Sequence, residues 1–258
     1  PLRLDAQAHR EAAHGLLVAP DGQREDLRRV GEALEALDGH EAVDGLQQGL
    51  EVGGDAQSVL HDDVVDVVDA AVELGQEWQV LTDHSPRLRI AGGLSAQRLG
   101  QQLQLLAAID DSLGDAFTVM SGIEVDILDD GELDQTPEML GRLDLVTASV
   151  HSKLKMAKGP MTRRMVAAVS NPRVNVLGHC TGRLVTGSRG TRPQSDFDAR
   201  AVFEACAEHA VAVEINSRPE RLDPPRRLLT LANELGCEFA IDTDAHAVAQ
   251  CDQQQRTA

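Results

Sequence analysis

One sequence feature constrains the fold of this chain more than any other. Short strand-like runs alternate with longer amphipathic stretches. From residue 78 onward, six apolar runs have strand character: Trp78–Thr82, Phe117–Ile123, Leu143–Val150, Val174–Leu177, Val211–Ile215 and Glu238–Ile241. Between them the sequence predicts four helices, over Leu94–Ala108, Met161–Val169, Asp198–His209 and Pro225–Leu235. Strands that alternate with helical stretches of about 10 to 15 residues indicate parallel βα units. We therefore predict an α/β fold built on a parallel sheet.

The strand-like runs share a second property, because polar residues able to bind metals follow almost every one of them. These residues are His84, Glu124, His151, His179, Asn216, Asp244 and His246. In a parallel β/α barrel the carboxyl ends of all strands open on one face. We therefore expect these side chains to converge on a single site, although any one of them alone would more often be structural.

The residue types in this set favour metal-dependent chemistry. Neutral imidazoles and carboxylates are ligands for Zn²⁺, Mn²⁺ and Fe²⁺. Four histidines with a glutamate and an aspartate exceed what one tetrahedral ion needs, which suggests two or three ions and a bridging carboxylate. Ions about 3.5–4 Å apart can activate water and hold both oxygens of a phosphoryl transfer. The sequence contains no GxSxG, P-loop or GxGxxG motif, which disfavours serine hydrolases and nucleotide-binding folds.

Several basic residues lie near the predicted strand ends. Lys153, Arg183 and Arg218 each come just after a strand-like run, so they are predicted to reach a bound phosphate. Arg163 and Arg164 are predicted to lie on a solvent-exposed helix face instead. The net charge of −18 disfavours non-specific binding along a nucleic-acid backbone.

The first 75 residues differ in amino-acid composition from the rest. They contain no aromatic residue and hold 17 acidic against 5 basic residues. We predict that residues 1–75 form an atypical acidic segment, partly helical (Leu27–Leu37 and Val64–Leu74) or disordered. Residues 76–258 are predicted to form the hydrolase domain. The chain begins at Pro1, which suggests a fragment or a processed product.

The cellular compartment of the protein is predicted from its apolar runs and its cysteines. No run approaches the ~20 residues that span a bilayer, and no signal segment is apparent. Four widely spaced cysteines without a CxxC motif fit reduced thiols, so a cytoplasmic location is expected.

The motifs together resemble those of the PHP (polymerase and histidinol phosphatase) superfamily. Within it they are most similar to the PHP domain of bacterial family X DNA polymerases and stand-alone relatives. The matching stretches span roughly residues 76–250: Thr82-Asp83-His84-Ser85, Gly122-Ile123-Glu124-Val125-Asp126, Ala148-Ser149-Val150-His151-Ser152, Gly178-His179-Cys180-Thr181-Gly182-Arg183-Leu184, Glu214-Ile215-Asn216, Arg221-Leu222-Asp223 and Asp242-Thr243-Asp244-Ala245-His246.

The resemblance implies a distorted (β/α)7 TIM-like barrel with a trinuclear centre of Zn or Mn, with Fe or Mg as alternatives. The implied metal ligands are His84, Glu124, His151, His179, Asp244 and His246. Glu124 would bridge two ions, and Glu124, His151 and Asp244 would support attack by a metal-activated hydroxide. Asn216 joins Lys153, Arg183 and Arg218 as an implied substrate-binding residue.

One departure from the family pattern puts activity in doubt. The family begins with a strand ending in His-x-His, about 32 residues before the histidine that matches His84, and this chain has no such pair. We hypothesise that a frameshift or similar event replaced the first strand, leaving an edge near Val80 unless residues 45–60 substitute for it. Three functions stay open: a phosphoesterase acting on DNA 3′ ends, a small-molecule phosphatase of the histidinol phosphatase kind, and a degenerate, non-catalytic barrel. The oligomeric state is not predicted.

Overall fold

The computed structural model describes residues 64, 66–89, 92–187 and 190–245. Within them the strands are β1 Trp78–His84, β2 Thr118–Asp126, β3 Leu145–Ser149, β4 Val176–Leu177, β5 Ala212–Asn216 and β6 Phe239–Asp242. The helices between the strands are α1 Ala96–Leu113, α2 Pro137–Leu140, α3 Lys158–Val169, α4 Ala199–His209 and α5 Arg226–Glu234. Residues 66–73 are helical as well, ahead of β1.

The six strands form one parallel sheet in the order β1-β2-β3-β4-β5-β6. Each strand therefore pairs with its neighbours in sequence, with a right-handed crossover expected at each step. The sheet curls into part of a barrel, which confirms the predicted α/β, TIM-like architecture. The register places His84 of β1 beside Glu124 of β2, so two predicted ligands lie side by side at the carboxyl ends of adjacent strands.

All six predicted strands and all four predicted helices between them are present, with small differences at their ends. Helix α1 begins after Ser95, whose side chain accepts a hydrogen bond from the Arg98 amide at 3.3 Å. It runs to Leu113 because Gly114, at a positive φ of 57°, can end it. The short helix α2 was not predicted. Its Thr136 cap and its Pro137 start are local signals that could have revealed it.

Two hydrophobic clusters hold the described part of the chain together. The larger one lies between the sheet and helices α3, α4 and α5 and includes Ile123, Met165 and Phe203. In the smaller one Val68 and Ala71, from the helical residues 66–73, pack with residues of α1 and β2. The helix predicted over Val64–Leu74 is thereby confirmed. The predicted helix Leu27–Leu37, the replaced first strand, His246 and Cys251 lie outside the described residues.

The prediction for Arg164 is wrong. Arg163 is exposed as expected, but Arg164 is only 1% exposed and ranks among the largest fully buried side chains. The inward face of α3 carries Met161, Arg164 and Met165, which follow the three- and four-residue spacing of one helix face. Two adjacent arginines on a helix point about 100° apart, so they cannot share one surface.

None of the helices within the described ranges is long and apolar enough to cross a lipid bilayer.

Candidate metal centre

Three imidazoles converge on the carboxylate of Glu124. Oε1 of Glu124 lies 2.9 Å from Nε2 of His179 and 3.1 Å from Nε2 of His151. Its Oε2 lies 3.2 Å from Nδ1 of His84. These residues come from the ends of β1 and β2 and from the loops that follow β3 and β4, as the strand-end argument predicts.

Three of these four side chains could act together as metal ligands. Ligand atoms of His84, Glu124 and His151 all lie within 4.8 Å of one another, close enough to bind a common ion. The ring of His151 meets those of His84 and His179 edge-on, with centroids 5.3 and 5.2 Å apart. Among the described residues, Oε1 of Glu124 and both ring nitrogens of His179 are buried without a hydrogen bond of acceptable geometry. Buried polar atoms of this kind need a partner, and a divalent cation suits this donor set.

A supporting carboxylate holds His151 in place. Asp126 Oδ1 accepts the His151 backbone N–H at 3.1 Å and lies 3.5 Å from the ring Nδ1. The hydroxyl of Ser85 in turn accepts the Asp126 backbone N–H at 2.9 Å. A carboxylate beside the second nitrogen of a metal-binding histidine orients the ring. Asp126 was missed as a site residue, although two-residue strand periodicity places it on the same face as Glu124.

The charges in this cluster shift the pKa values of its members strongly. Burial alone would raise the pKa of Glu124, but attraction to His179 and close contacts with His151 and His179 outweigh it and hold the pKa well below its usual value of 4.5. Burial also disfavours a charged His151, yet Asp126 and Glu124 raise its pKa from 6.5 to about 9. Without metal, the cluster therefore binds protons where a cation would otherwise balance Glu124.

Asp244 lies in a different setting, among basic side chains. Its Oδ2 accepts hydrogen bonds from Arg221 Nε at 2.8 Å and from Asn216 Nδ2 at 3.1 Å. Arg218 Nη1 lies 3.7 Å from the same oxygen and donates to the Asp244 carbonyl at 3.4 Å. Arg221 was missed as a site residue; its position in the Arg221-Leu222-Asp223 motif was the available signal.

The buried Glu214 and the side chain of Asn216 connect the surroundings of Glu124 to those of Asp244. Glu214 is 2% exposed, and its carboxylate accepts the backbone N–H of His179 and the Asn216 Nδ2 at 2.9 Å. Asn216 thus bridges Glu214 and Asp244. Burial, followed by repulsion from Asp242, raises the pKa of Glu214 well above its usual value, and burial likewise raises that of Asp242.

The other two predicted substrate-binding residues, Lys153 and Arg183, also contact protein groups. Lys153 forms an exposed ion pair with Asp129. Arg183 donates from Nε to the Arg221 carbonyl at 3.0 Å and from Nη2 to the Leu222 carbonyl. Arg183 therefore fastens the loop after β4 to the loop after β5.

The chain is similar in sequence to two groups of known proteins. No protein-family model matches the chain. The DNA polymerase/3′-5′ exonuclease PolX of Bacillus subtilis is 34% identical over 187 residues, which is 72% of this chain and 32% of that protein. The probable phosphatase YcdX of Escherichia coli K12 is 27% identical over 190 residues, covering 70% of this chain and 71% of that one. These similarities are consistent with the PHP superfamily that the motifs resemble.

A solved structure shares the fold of this chain. The putative histidinol phosphatase HisK of Listeria monocytogenes superposes with a TM-score of 0.55, covering 73% of this chain and 90% of the other at 16% identity. This likeness concerns the fold alone. The chain spans about a third of the length of the PolX relative, so the matched portion corresponds to one part of that larger protein.

The structure brings part of the predicted ligand set together. His84, Glu124, His151 and His179 form one cluster, and Asp244 lies with Asn216 and Arg218. The assignment of individual roles to these residues stays a prediction, as does the part of His246.

Proposed function

We propose that this chain is a metal-dependent phosphoester hydrolase of the PHP superfamily. The observation that carries the proposal is the approach of three imidazoles to the Glu124 carboxylate within 3.2 Å. Two or three divalent ions, Zn or Mn with Fe or Mg as alternatives, would be held by His84, Glu124, His151, His179, Asp244 and His246. Such ions, when bound, supply Lewis acidity and an activated water for attack on phosphorus.

The chain's own residues would orient and neutralise the reacting groups. Glu124 contributes a negative charge at the centre of the cluster, and Asp126 fixes the ring of His151. Arg218, together with Lys153 and Arg183, is proposed to attract the phosphate. Arg218 lies beside the predicted ligand Asp244, with Nη1 3.7 Å from its carboxylate.

The substrate is proposed to be a DNA 3′ end, supported by the 34% identity to a polymerase/3′-5′ exonuclease. A small-molecule phosphate ester is the second candidate, because the chain spans 71% of a probable phosphatase. A degenerate barrel is the third, favoured by the missing His-x-His pair.

A three-substrate assay separates these functions. Purified protein would be tested on 3′-labelled single-stranded DNA, histidinol phosphate and p-nitrophenyl phosphate, with Mn²⁺ or Zn²⁺ and after chelation. Release of single nucleotides supports the first function, and turnover of phosphomonoesters alone supports the second. No turnover on any substrate, with less than about one ion per chain, would leave the degenerate barrel.

A substitution links any activity to the described site. His151→Ala should abolish it, since this residue contacts both Glu124 and Asp126. His209→Ala provides the control, because His209 is an exposed histidine at the end of α4. Equal rates for the two variants would remove the Glu124 cluster from the reaction.

A cytoplasmic location is proposed as well. It is supported by Cys180, Cys206 and Cys237, which are buried as free thiols. Reduced cysteines are usual in proteins of a reducing compartment.

A further inference from the structure

The buried Arg164 connects two loops at the candidate metal centre. Its Nε donates to the carbonyl oxygens of Ile127 at 3.1 Å and Leu128 at 2.8 Å, and its Nη2 donates again to Ile127. On the other side, its Nη1 donates to the Ser152 carbonyl at 2.9 Å and its Nη2 to the Ser152 hydroxyl at 3.1 Å. One guanidinium therefore joins the chain just after β2 to the chain just after β3.

Both anchor points adjoin residues of the site. Ile127 and Leu128 follow Asp126, and Ser152 follows His151. The two segments also contact each other directly, through the hydrogen bond from the His151 backbone N–H to Asp126 Oδ1 at 3.1 Å, the hydrogen bond from the Ile127 N–H to the Ser149 carbonyl at 2.8 Å, and the exposed Lys153–Asp129 ion pair. A change in the separation of the two loops would thus act directly on the orientation of His151.

The chemistry of these contacts depends on the arginine side chain. A guanidinium presents its N–H groups in a rigid planar fork, which can reach several carbonyl oxygens in fixed directions. A lysine ammonium carries the same charge but lacks that fork. Burial of a charged group on a helix face that otherwise carries Met161 and Met165 is costly unless its hydrogen bonds are satisfied.

We propose that Arg164 is a positioning residue, which fixes the loops after β2 and β3 relative to each other and so sets the geometry of the His151–Asp126–Glu124 contacts. It acts through those residues and does not itself touch an ion or a substrate. The inference rests on the proposed function in assuming that this cluster binds metal.

The first test measures Mn²⁺ affinity by titration calorimetry in Arg164→Lys and Arg164→Met. Both variants should bind Mn²⁺ more weakly by roughly 10- to 100-fold, the range for residues that support metal ligands. The control is Arg163→Met, which removes the same charge from the exposed neighbour on the same helix and should leave the affinity unchanged. Wild-type affinity in a folded Arg164→Lys protein would overturn the proposal, because charge alone would then suffice.

A milder variant guards against loss of folding. Ser152→Ala removes one acceptor of Arg164 at an exposed residue and leaves the carbonyl contact intact. Folding of each variant would be checked by the fluorescence of Trp78, the single tryptophan of the chain. If the Arg164 variants do not fold, Ser152→Ala decides the matter: weakened Mn²⁺ binding supports the proposal, and wild-type binding contradicts it.

A metal-free readout separates failure of this inference from failure of the proposed function. Amide hydrogen exchange at His151 reports its bond to Asp126 in the absence of any ion. Exchange should be faster in Ser152→Ala and Arg164→Met than in Arg163→Met, whether or not the wild-type protein binds metal or hydrolyses an ester. Unchanged exchange at His151 would contradict the positioning role of Arg164 even if phosphoesterase activity were found.

Discussion

The two halves of the candidate site each contain a buried carboxylate, and different types of side chain surround the two. On one side, Glu124 is surrounded by the imidazoles of His84, His151 and His179, at 2.9 to 3.2 Å. On the other, Asp244 is neutralised by Arg221 at 2.8 Å and Arg218 at 3.7 Å. An imidazole can release its proton and bind a metal ion instead, whereas arginine keeps its charge.

The Glu124 side therefore depends on added cations to balance its negative charge. On the Asp244 side, arginine side chains balance the negative charge already. The Glu124 side gains its balancing charge from protons or from metal ions, which compete for the same ring nitrogens. On the Asp244 side, two guanidinium groups already lie beside the carboxylate. We therefore expect metal removal to change the Glu124 side more, and changes to arginine to act mainly through the Asp244 side.

The largest effect is expected from Glu124→Gln, which retains the size of the side chain but removes its charge. Because all three imidazoles approach this carboxylate, Mn²⁺ affinity should fall by more than about 100-fold, beyond the usual loss for residues that only support ligands. Equilibrium dialysis followed by metal analysis would measure it. Glu138→Gln, at an exposed position of α2, is the matched control and should bind normally. Tight Mn²⁺ binding in Glu124→Gln would mean that the Glu124 side does not depend on this charge to bind the ion, and the contrast with the Asp244 side would fail.

Arg221→Met tests the other side through stability. Arg221 is 7% exposed, and its removal leaves the buried carboxylate of Asp244 without its shortest ionic contact. Breaking a buried ion pair from one side typically costs about 3 kcal/mol or more. Urea unfolding of the metal-free protein should show this loss, while Arg226→Met, an exposed arginine at the start of α5, should unfold like wild type. A near-neutral Arg221→Met would show that Asp244 is balanced by other groups.

Sequence reasoning was most successful where a repeated pattern applied. The six strands, the helices between them and the convergence of His84, Glu124, His151 and His179 all follow from the period of the apolar residues and from the strand-end rule. These features depend on local spacing and on the common direction of parallel strands, so one sequence suffices to predict them.

The contacts that depend on three-dimensional proximity were beyond that reasoning. Arg164 looked like part of a charged surface pair, and only the packing of α3 on the loops after β2 and β3 shows why it is buried. Arg221 meets Asp244 across 23 residues of sequence, and Asp126 meets His151 across 25. Spacing along the chain carries no information about such pairs.

The pH dependence of stability sharpens the contrast between the two sides. The folded-state pKa of His151 is about 9, above its ordinary 6.5, so the stabilisation is complete below pH 6.5 and is lost as the pH rises through 9. A pKa shift of this size corresponds to about 3 kcal/mol of stability, and most of it comes from the contacts of His151 with Glu124 and Asp126. Urea unfolding of the metal-free protein across this window would measure it.

His151→Gln is the control for this experiment and should reduce the slope of the profile between pH 6.5 and 9, because the contribution of His151 is gone. Saturating Mn²⁺ should reverse the slope of the wild-type profile, since metal binding requires the neutral imidazole and is favoured at higher pH. Equal stability of the metal-free protein at the two ends of the window would contradict the assignment of a raised pKa to His151.

The smallest effect is expected at Lys153, the basic residue on the rim of the Glu124 side. Its side chain is 64% exposed and pairs with an exposed Asp129, in contrast to the buried arginines around Asp244. Exposed ion pairs contribute little to folding, so Lys153→Met should leave the unfolding midpoint unchanged. If Lys153 attracts the phosphate, KM should rise a few-fold with kcat unchanged, because the charge aids ground-state and transition-state binding alike. Lys155→Met, two residues further along and exposed as well, is the matched control. Identical KM values for the two variants would assign phosphate attraction to the Asp244 side alone.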